Sequence, residues 1–311
     1  MTESYYKGYW MVTNRCNLRC SYCVLENAHH QLKKELDLDD KKEFISHLYS
    51  NLNFRRLTLS GGEVVLCGKR PPNDFIELLR HIRTFRSEDP QKNLNIEMYT
   101  NATYLNEDII KEMEGVVDMV AVTIDGAQDN FLTQLGRNTS KFQQYFERLQ
   151  RVCHMMHDSG IELKLHSVIS QKNHTFLANE LAFILDAMEA GAEITHWKFY
   201  QYMSYDAPEK DQAHAISPDV YQAFVKKAKN ALKGRRPKLH FKSNNEMNAS
   251  LFNILSYGNA QYMRDNDSWT TSQRTNDLRT YASMEELFQK HDINIERFNQ
   301  FHKIDELYSY A

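Results

Sequence analysis

The chain has 311 residues, 41% of them hydrophobic and 25% charged, enough apolar mass to bury a full core, which excludes a disordered chain. Its 38 Lys plus Arg against 41 Asp plus Glu leave a formal net charge of -3, so no global cationic field supports nucleic-acid binding. The opening residues lack the basic and then apolar pattern of a signal peptide, and no run of about 18 apolar residues occurs, which predicts a cytoplasmic protein with no membrane partner.

In chain order, short strand-like runs alternate with longer amphipathic ones. Strands are predicted over residues 8–13, 56–60, 94–100, 117–125, 161–170 and 194–200, and helices over 39–51, 74–85, 106–113, 141–157, 176–190 and 218–232. Six βα units in succession predict an α/β fold, a partial (βα)6 TIM-like barrel. Gly234-Arg235-Arg236-Pro237 breaks the pattern, and the sequence beyond it is richer in Asn, Ser and Tyr. Residues 1–234 are therefore read as the core domain and 235–311 as a C-terminal extension that packs on the barrel and closes the substrate side.

The first strand leads directly into Cys16-Asn17-Leu18-Arg19-Cys20-Ser21-Tyr22-Cys23, a loop at the end of the barrel where such enzymes keep their chemistry. Five cysteines with three in eight positions are the wrong arrangement for a disulfide framework. Three soft thiolates suit an iron-sulfur cluster with one iron open to a ligand. The competing reading is a structural zinc completed by His29 or His30. Cys67 and Cys153 are too few for a second cluster and read as structural thiols.

Further candidates end the next strands: Ser60-Gly61-Gly62-Glu63, Thr100-Asn101-Ala102, Thr123-Ile124-Asp125-Gly126, then Arg137. Two glycines allow a close backbone approach to a ligand, and a carboxylate suits an ammonium, although Gly-Gly at a strand end is also simply a turn. Taken together, the Cys-x3-Cys-x2-Cys loop and these strand ends resemble the radical SAM superfamily. The resemblance implies that Cys16, Cys20 and Cys23 hold a 4Fe-4S cluster whose fourth iron chelates S-adenosylmethionine. Reductive cleavage would then yield a 5'-deoxyadenosyl radical that abstracts a substrate hydrogen. It also implies that Tyr22 packs near the adenine and that Ser60, Gly61, Gly62 and Glu63 receive the amino group. Asn101, Thr123 and Arg137 would contact the ribose and carboxylate.

Strand alternation sends Leu163 and Leu165 to one face and Lys164 and His166 to the other; on the next strand Trp197 and Phe199 face the helices while His196, Lys198 and Tyr200 point inward. Two lysines and two histidines inside a barrel need carboxylates, for which Glu97 and Glu162 are candidates, or an anionic ligand. These two strand motifs, with residues 242–247 and 261–264, resemble the viperin-like radical SAM nucleotide dehydratases, which convert a nucleoside triphosphate to its 3'-deoxy-3',4'-didehydro form in antiviral defence. By that likeness Lys164 and Lys198 would hold a triphosphate with His166 and His196 nearby. An external donor such as flavodoxin or ferredoxin would supply electrons. The chain departs from animal members at His166 and His196, which replace Asn and Arg, and at Glu246 and Leu251, which replace Lys and Tyr. Those departures also leave room for a radical SAM enzyme acting on a peptide or another small anion.

Overall fold

The computed structural model describes residues 4–27, 33–89, 92–141, 143–204, 208–264, 267 and 271–304; His29 and His30 of the zinc reading lie outside them. Parallel strands β1 (Tyr5–Thr13), β2 (Phe54–Gly61), β3 (Asn95–Thr100), β4 (Met119–Thr123), β5 (Glu162–Ile169) and β6 (Ile194–Gln201) pair in sequence order, each with its successor. Helices cover their outer face, chief among them Leu38–Ser50, Asn73–Arg83, Tyr145–Met155, Leu177–Glu189 and Pro218–Ala231. This is the parallel, helix-covered sheet expected of a partial TIM-like barrel.

The period-2 pattern explains which face goes where. On β1 Trp10 and Val12 are fully buried under the helices, whereas Lys7, Tyr9 and Met11 face the lumen. On β5 and β6 Leu163, Leu165, Trp197 and Phe199 take the helix side. Each such large apolar side chain contributes roughly 1.5–3 kcal/mol by leaving water. The fourth strand is shorter than predicted. Pairing in β4 ends at Thr123, and Ile124 donates its N–H to the His166 carbonyl beyond the regular ladder.

The residues after Gly234 continue the same sheet on both sides. β7 (Lys238–Lys242) adds parallel to β6, while β8 (Phe252–Ile254) adds parallel to β1 and leads into antiparallel β9 (Asn259–Tyr262) and β10 (Gln273–Asp277). β11 (Lys303–Ile304) pairs with the start of β1. A short helix, Asn244–Ala249, links β7 to β8 from one side of the barrel to the other. Its capping box uses Ser243 and Glu246, so the Glu246 carboxylate is turned onto the Ser243 N–H and hydroxyl, both at 2.8 Å. Among the described residues no helix is long and apolar enough to cross a membrane.

Candidate active site

The lumen holds a cavity of about 1420 Å³ that runs from the cysteine loop down the inner faces of β1 to β7. Cys16, Cys20 and Cys23 all line it, as do Ser60, Gly61, Gly62, Asn101, Thr123, Tyr22 and Arg137. Lys164, His166, His196 and Lys198 line its deeper part. Glu63 does not reach the cavity surface; it is fully buried behind it.

The cysteine loop is held by close backbone packing. Gly62 donates its N–H to the Thr13 carbonyl at 3.0 Å and Glu63 donates to that of Arg15 at 2.7 Å. A Cβ on Gly61 or Gly62 would stand 2.1 Å from the Thr13 or Arg15 carbonyl oxygen. The two glycines thus let the loop itself approach the end of β2, a role the sequence reading gave to a ligand. Gly136, at φ +82°, does the same from the opposite side, where a Cβ would lie 2.2 Å from the Arg19 carbonyl oxygen. Next to it, Ser21 donates its N–H to the Leu135 carbonyl at 2.9 Å.

Glu63 joins the ends of β2 and β3 to this loop. Its carboxylate accepts the Thr100 hydroxyl at 2.8 Å and the Asn101 N–H at 2.8 Å. Asn101 in turn donates to Asn17 Oδ1 at 3.1 Å and lies 3.7 Å from Cys16 Sγ. The next residue, Ala102, has φ +60°, a conformation that costs a non-glycine residue about 1–2 kcal/mol and is held by the Thr100 hydroxyl, which accepts its N–H. Burial pushes the Glu63 carboxyl up to about 7, against the lowering effect of the hydrogen bonds from Asn101, Thr100 and Val65.

A second buried network forms beneath Tyr22. The Tyr22 hydroxyl donates to Asp125 at 2.7 Å, Arg137 donates to the same Asp125 oxygen at 3.1 Å, and Arg137 also contacts the Tyr22 hydroxyl. Arg137 and Asp125 side chains are 5% and 0% exposed. Sequence reasoning quoted Asp125 but missed it as the partner of Arg137; a buried arginine's need for a carboxylate was the available signal.

Deeper in the lumen Lys164 donates to Glu97 at 2.8 Å. Glu162, the other candidate partner, instead accepts the Thr195 hydroxyl at 3.3 Å. Lys198 has no carboxylate within ion-pair distance among the described residues; its ammonium lies 4.9 Å from the Tyr200 ring centroid and its pKa is lowered by burial. His166 is 5% exposed, stands edge-on to Tyr99 and Tyr200, and its Nε2 has no hydrogen-bond partner. Burial, then Lys164 and Lys198, hold His166 well below the usual imidazole range. Burial and Lys164 likewise lower His196 and bring the stacked His240 down to about 4. In the protein alone burial and the neighbouring cations thus disfavour the charged form of these histidines.

Seven lysines and arginines line the whole cavity against one carboxylate, Glu97, in a chain of net charge -3. Lys242 and Arg274, which sequence reasoning did not single out, come from the residues after Gly234. A cavity of this composition is complementary in charge to an anion. Glu246 does not line it, though its carboxylate acts on Lys242, and Leu251 contributes an apolar wall.

The upper end fits a thiolate-bound cluster by its donor set. Burial pushes Cys16 up to about 11 and Cys20 to about 12, so both are neutral thiols until a metal displaces their protons. Three cysteines on one clamped loop offer the soft ligands that iron-sulfur clusters take.

Comparison with known proteins gives a match of residues 10–170 to the family described as the Radical SAM superfamily. An S-adenosylmethionine-dependent nucleotide dehydratase of Fibrobacter sp. (strain UWH6) is 25% identical over 275 residues, 85% of this chain and 72% of the relative. Another protein of that name, from Lacinutrix mariniflava, is 24% identical over 221 residues, 68% of this chain and 41% of the relative. The chain spans about half the length of the curated relatives it matches. In fold it is similar to the solved structure of anSMEcpe with bound AdoMet and Kp18Cys peptide, with a TM-score of 0.64, 16% identity, and coverage of 95% of this chain and 82% of that one.

Proposed function

The chain belongs to the radical SAM superfamily, whose enzymes use a 4Fe-4S cluster and S-adenosylmethionine, and from that premise we propose that it dehydrates a nucleoside triphosphate to the 3'-deoxy-3',4'-didehydro form. When bound, the cluster and S-adenosylmethionine supply a 5'-deoxyadenosyl group that takes the ribose 4' hydrogen. The 3' hydroxyl then leaves as water, consuming one proton and one further electron from an external donor of the flavodoxin or ferredoxin type. A product without a 3' hydroxyl terminates polymerase chains, which is the chemistry of an antiviral nucleotide.

In this reading Cys16, Cys20 and Cys23 hold the cluster. Ser60, Gly61, Gly62, Asn101, Thr123, Tyr22 and Arg137 surround S-adenosylmethionine, and Glu63 positions Thr100 and Asn101 from behind. Lys164, His166, His196 and Lys198 receive the triphosphate, and residues 235–311 close the site by contributing Lys242 and Arg274. The observation that carries the substrate class is the excess of cations over carboxylates in the lumen, with Lys198 lacking a carboxylate among the described residues. The relatives named nucleotide dehydratase favour a nucleotide over other anions.

The test is anaerobic reconstitution with iron and sulfide, then mass spectrometry of reactions with S-adenosylmethionine, dithionite and each nucleoside triphosphate separately. A triphosphate lighter by one water, formed with 5'-deoxyadenosine, is the expected result. Formation of 5'-deoxyadenosine at one slow rate with every nucleotide, and no dehydrated product, overturns the substrate and leaves a peptide or another small anion.

A further inference from the structure

Two of the three thiols also face away from the lumen. Cys16 and Cys23 line a second cavity, of about 930 Å³, whose walls include residues 33–37, Leu66, Gly68, Lys69 and Tyr104; Cys20 lines only the lumen. Cys16, which lines both cavities, is exposed. The proposed reaction consumes electrons, and Cys67 and Cys153 are buried single thiols, so the five cysteines of the chain provide one cluster loop and no second relay. For an electron that enters from a partner, the shortest route is one on which the cysteine loop is itself at the surface.

Basic side chains outnumber carboxylates around this opening. Arg15, Arg19, Lys33, Lys34 and Lys69 are exposed and line it. The two carboxylates in the wall, Glu35 and Asp37, are engaged within the protein. Glu35 accepts the Gly68 N–H at 2.9 Å and pairs with buried Lys41 at 3.1 Å and with Arg15 at 3.6 Å, and Asp37 caps the helix Leu38–Ser50 by accepting the Asp40 N–H at 3.2 Å. A basic opening in a chain of net charge -3 attracts an acidic partner selectively and orients it on approach.

We infer that this second cavity is the docking surface for the electron donor, a small redox protein with a ring of carboxylates around its exposed one-electron carrier. The inference rests on the radical SAM reading and places the donor on the Cys16 and Cys23 side of the loop, opposite the substrate. Substrate and donor then bind at the same time without competing. These cations act mainly on the rate of encounter, as charges at a rim do.

The experiment uses reconstituted holoprotein and, as probe, an acidic flavodoxin. Lys33→Glu combined with Lys34→Glu, a second variant Lys69→Glu, and the milder pair Lys33→Gln with Lys34→Gln are compared with a control pair, Lys226→Glu with Lys227→Glu, on the exposed face of Pro218–Ala231. Association rate and Kd are measured at low and high salt, alongside 5'-deoxyadenosine formation driven by dithionite. The expected result is about a tenfold slower association for the glutamate pair, a smaller loss for the glutamine pair, and a shallower salt dependence. Dithionite-driven cleavage stays unchanged in all of them. Wild-type association in the variants, an equal loss in the control pair, or no association of the wild-type protein overturns the docking surface. Absence of dithionite-driven cleavage in the wild type strikes the radical SAM reading instead, and the binding measurements still decide the docking surface on their own.

Discussion

Lys164 donates to Glu97 at 2.8 Å across the inner face of the barrel, with the two side chains only 11% and 12% exposed. Two strand positions away in register, Lys198 stands beside His166 with no such partner among the described residues. The two lysines carry the same charge into the same cavity, yet they stand in different electrostatic states, and they are expected to respond differently to mutation.

Lys164→Ala leaves the Glu97 carboxylate buried and unpaired, and its expected cost is about 3–5 kcal/mol of stability. Lys198→Met removes a cation that burial already disfavours, so calorimetry should find its Tm equal to or above that of the parent. The same variant should bind a nucleoside triphosphate more weakly by about 2 kcal/mol, roughly thirtyfold, the worth of one charge-assisted hydrogen bond. A Tm loss in Lys198→Met as large as that in Lys164→Ala would contradict the difference in pairing.

Glu63→Ala strips the acceptor from the Asn101 N–H and the Thr100 hydroxyl, both buried, at about 1–3 kcal/mol for each group left unsatisfied. Because Asn101 is the link from β3 to Asn17 and Cys16, the variant should also incorporate less iron on reconstitution. Glu63→Gln keeps one acceptor oxygen and should lie between the two. Urea unfolding and iron stoichiometry check both halves.

Gly62→Ala and Gly136→Ala each place a methyl group where a backbone oxygen of the cysteine loop now stands, at 2.1 and 2.2 Å. The loop has to move, and both variants should fail to hold a cluster in iron analysis. Gly160→Ala is the control: φ is +70° but nothing lies within 4 Å of the added Cβ. That change should cost about 1–2 kcal/mol of backbone strain and leave iron content at the parent level.

Acid should destabilise the metal-free chain between about pH 6.5 and 4. Burial pushes His214, His240 and His302 down to about 4, while an unfolded histidine titrates near 6.5. A base depressed in the fold contributes its full stability above the unfolded value and loses it as pH falls toward the folded one. His166 and His196 shift in the same direction. Glu63 works the other way, since a carboxyl raised to about 7 loses stability as pH rises from its unfolded range. Three histidines against one carboxyl give a net uptake of about two protons on unfolding near pH 5.5. A urea midpoint that rises or stays flat from pH 6.5 to 4.5 would contradict this.

Much of the site was legible because it is written in local patterns. The spacing of Cys16, Cys20 and Cys23 after a strand, and Gly61-Gly62-Glu63 at the end of the next, need no tertiary information to be noticed. Alternation likewise sent Lys164, His166, His196 and Lys198 to one face, since a strand can reverse its side chains only by slipping one residue. The strand β7 was harder to read: Lys238-Leu239-His240-Phe241-Lys242 is short and charged, and the break at Gly234 just before it marks a turn rather than the end of the sheet.

By itself the sequence determined the βα succession, the cysteine loop, and the inward face of Lys164 and Lys198, because each follows from a repeat or a spacing within a few residues. Only the tertiary structure decided that Glu97 rather than Glu162 meets Lys164, that Asp125 meets Arg137, and that Glu63 lies behind the cavity holding Asn101. It also decided that Lys242 and Arg274 join the anion-facing wall. Charge pairing falls off steeply with distance in a low-dielectric interior, and those distances are set by strand register and the curvature of the sheet, which join residues 67, 38 and 12 positions apart.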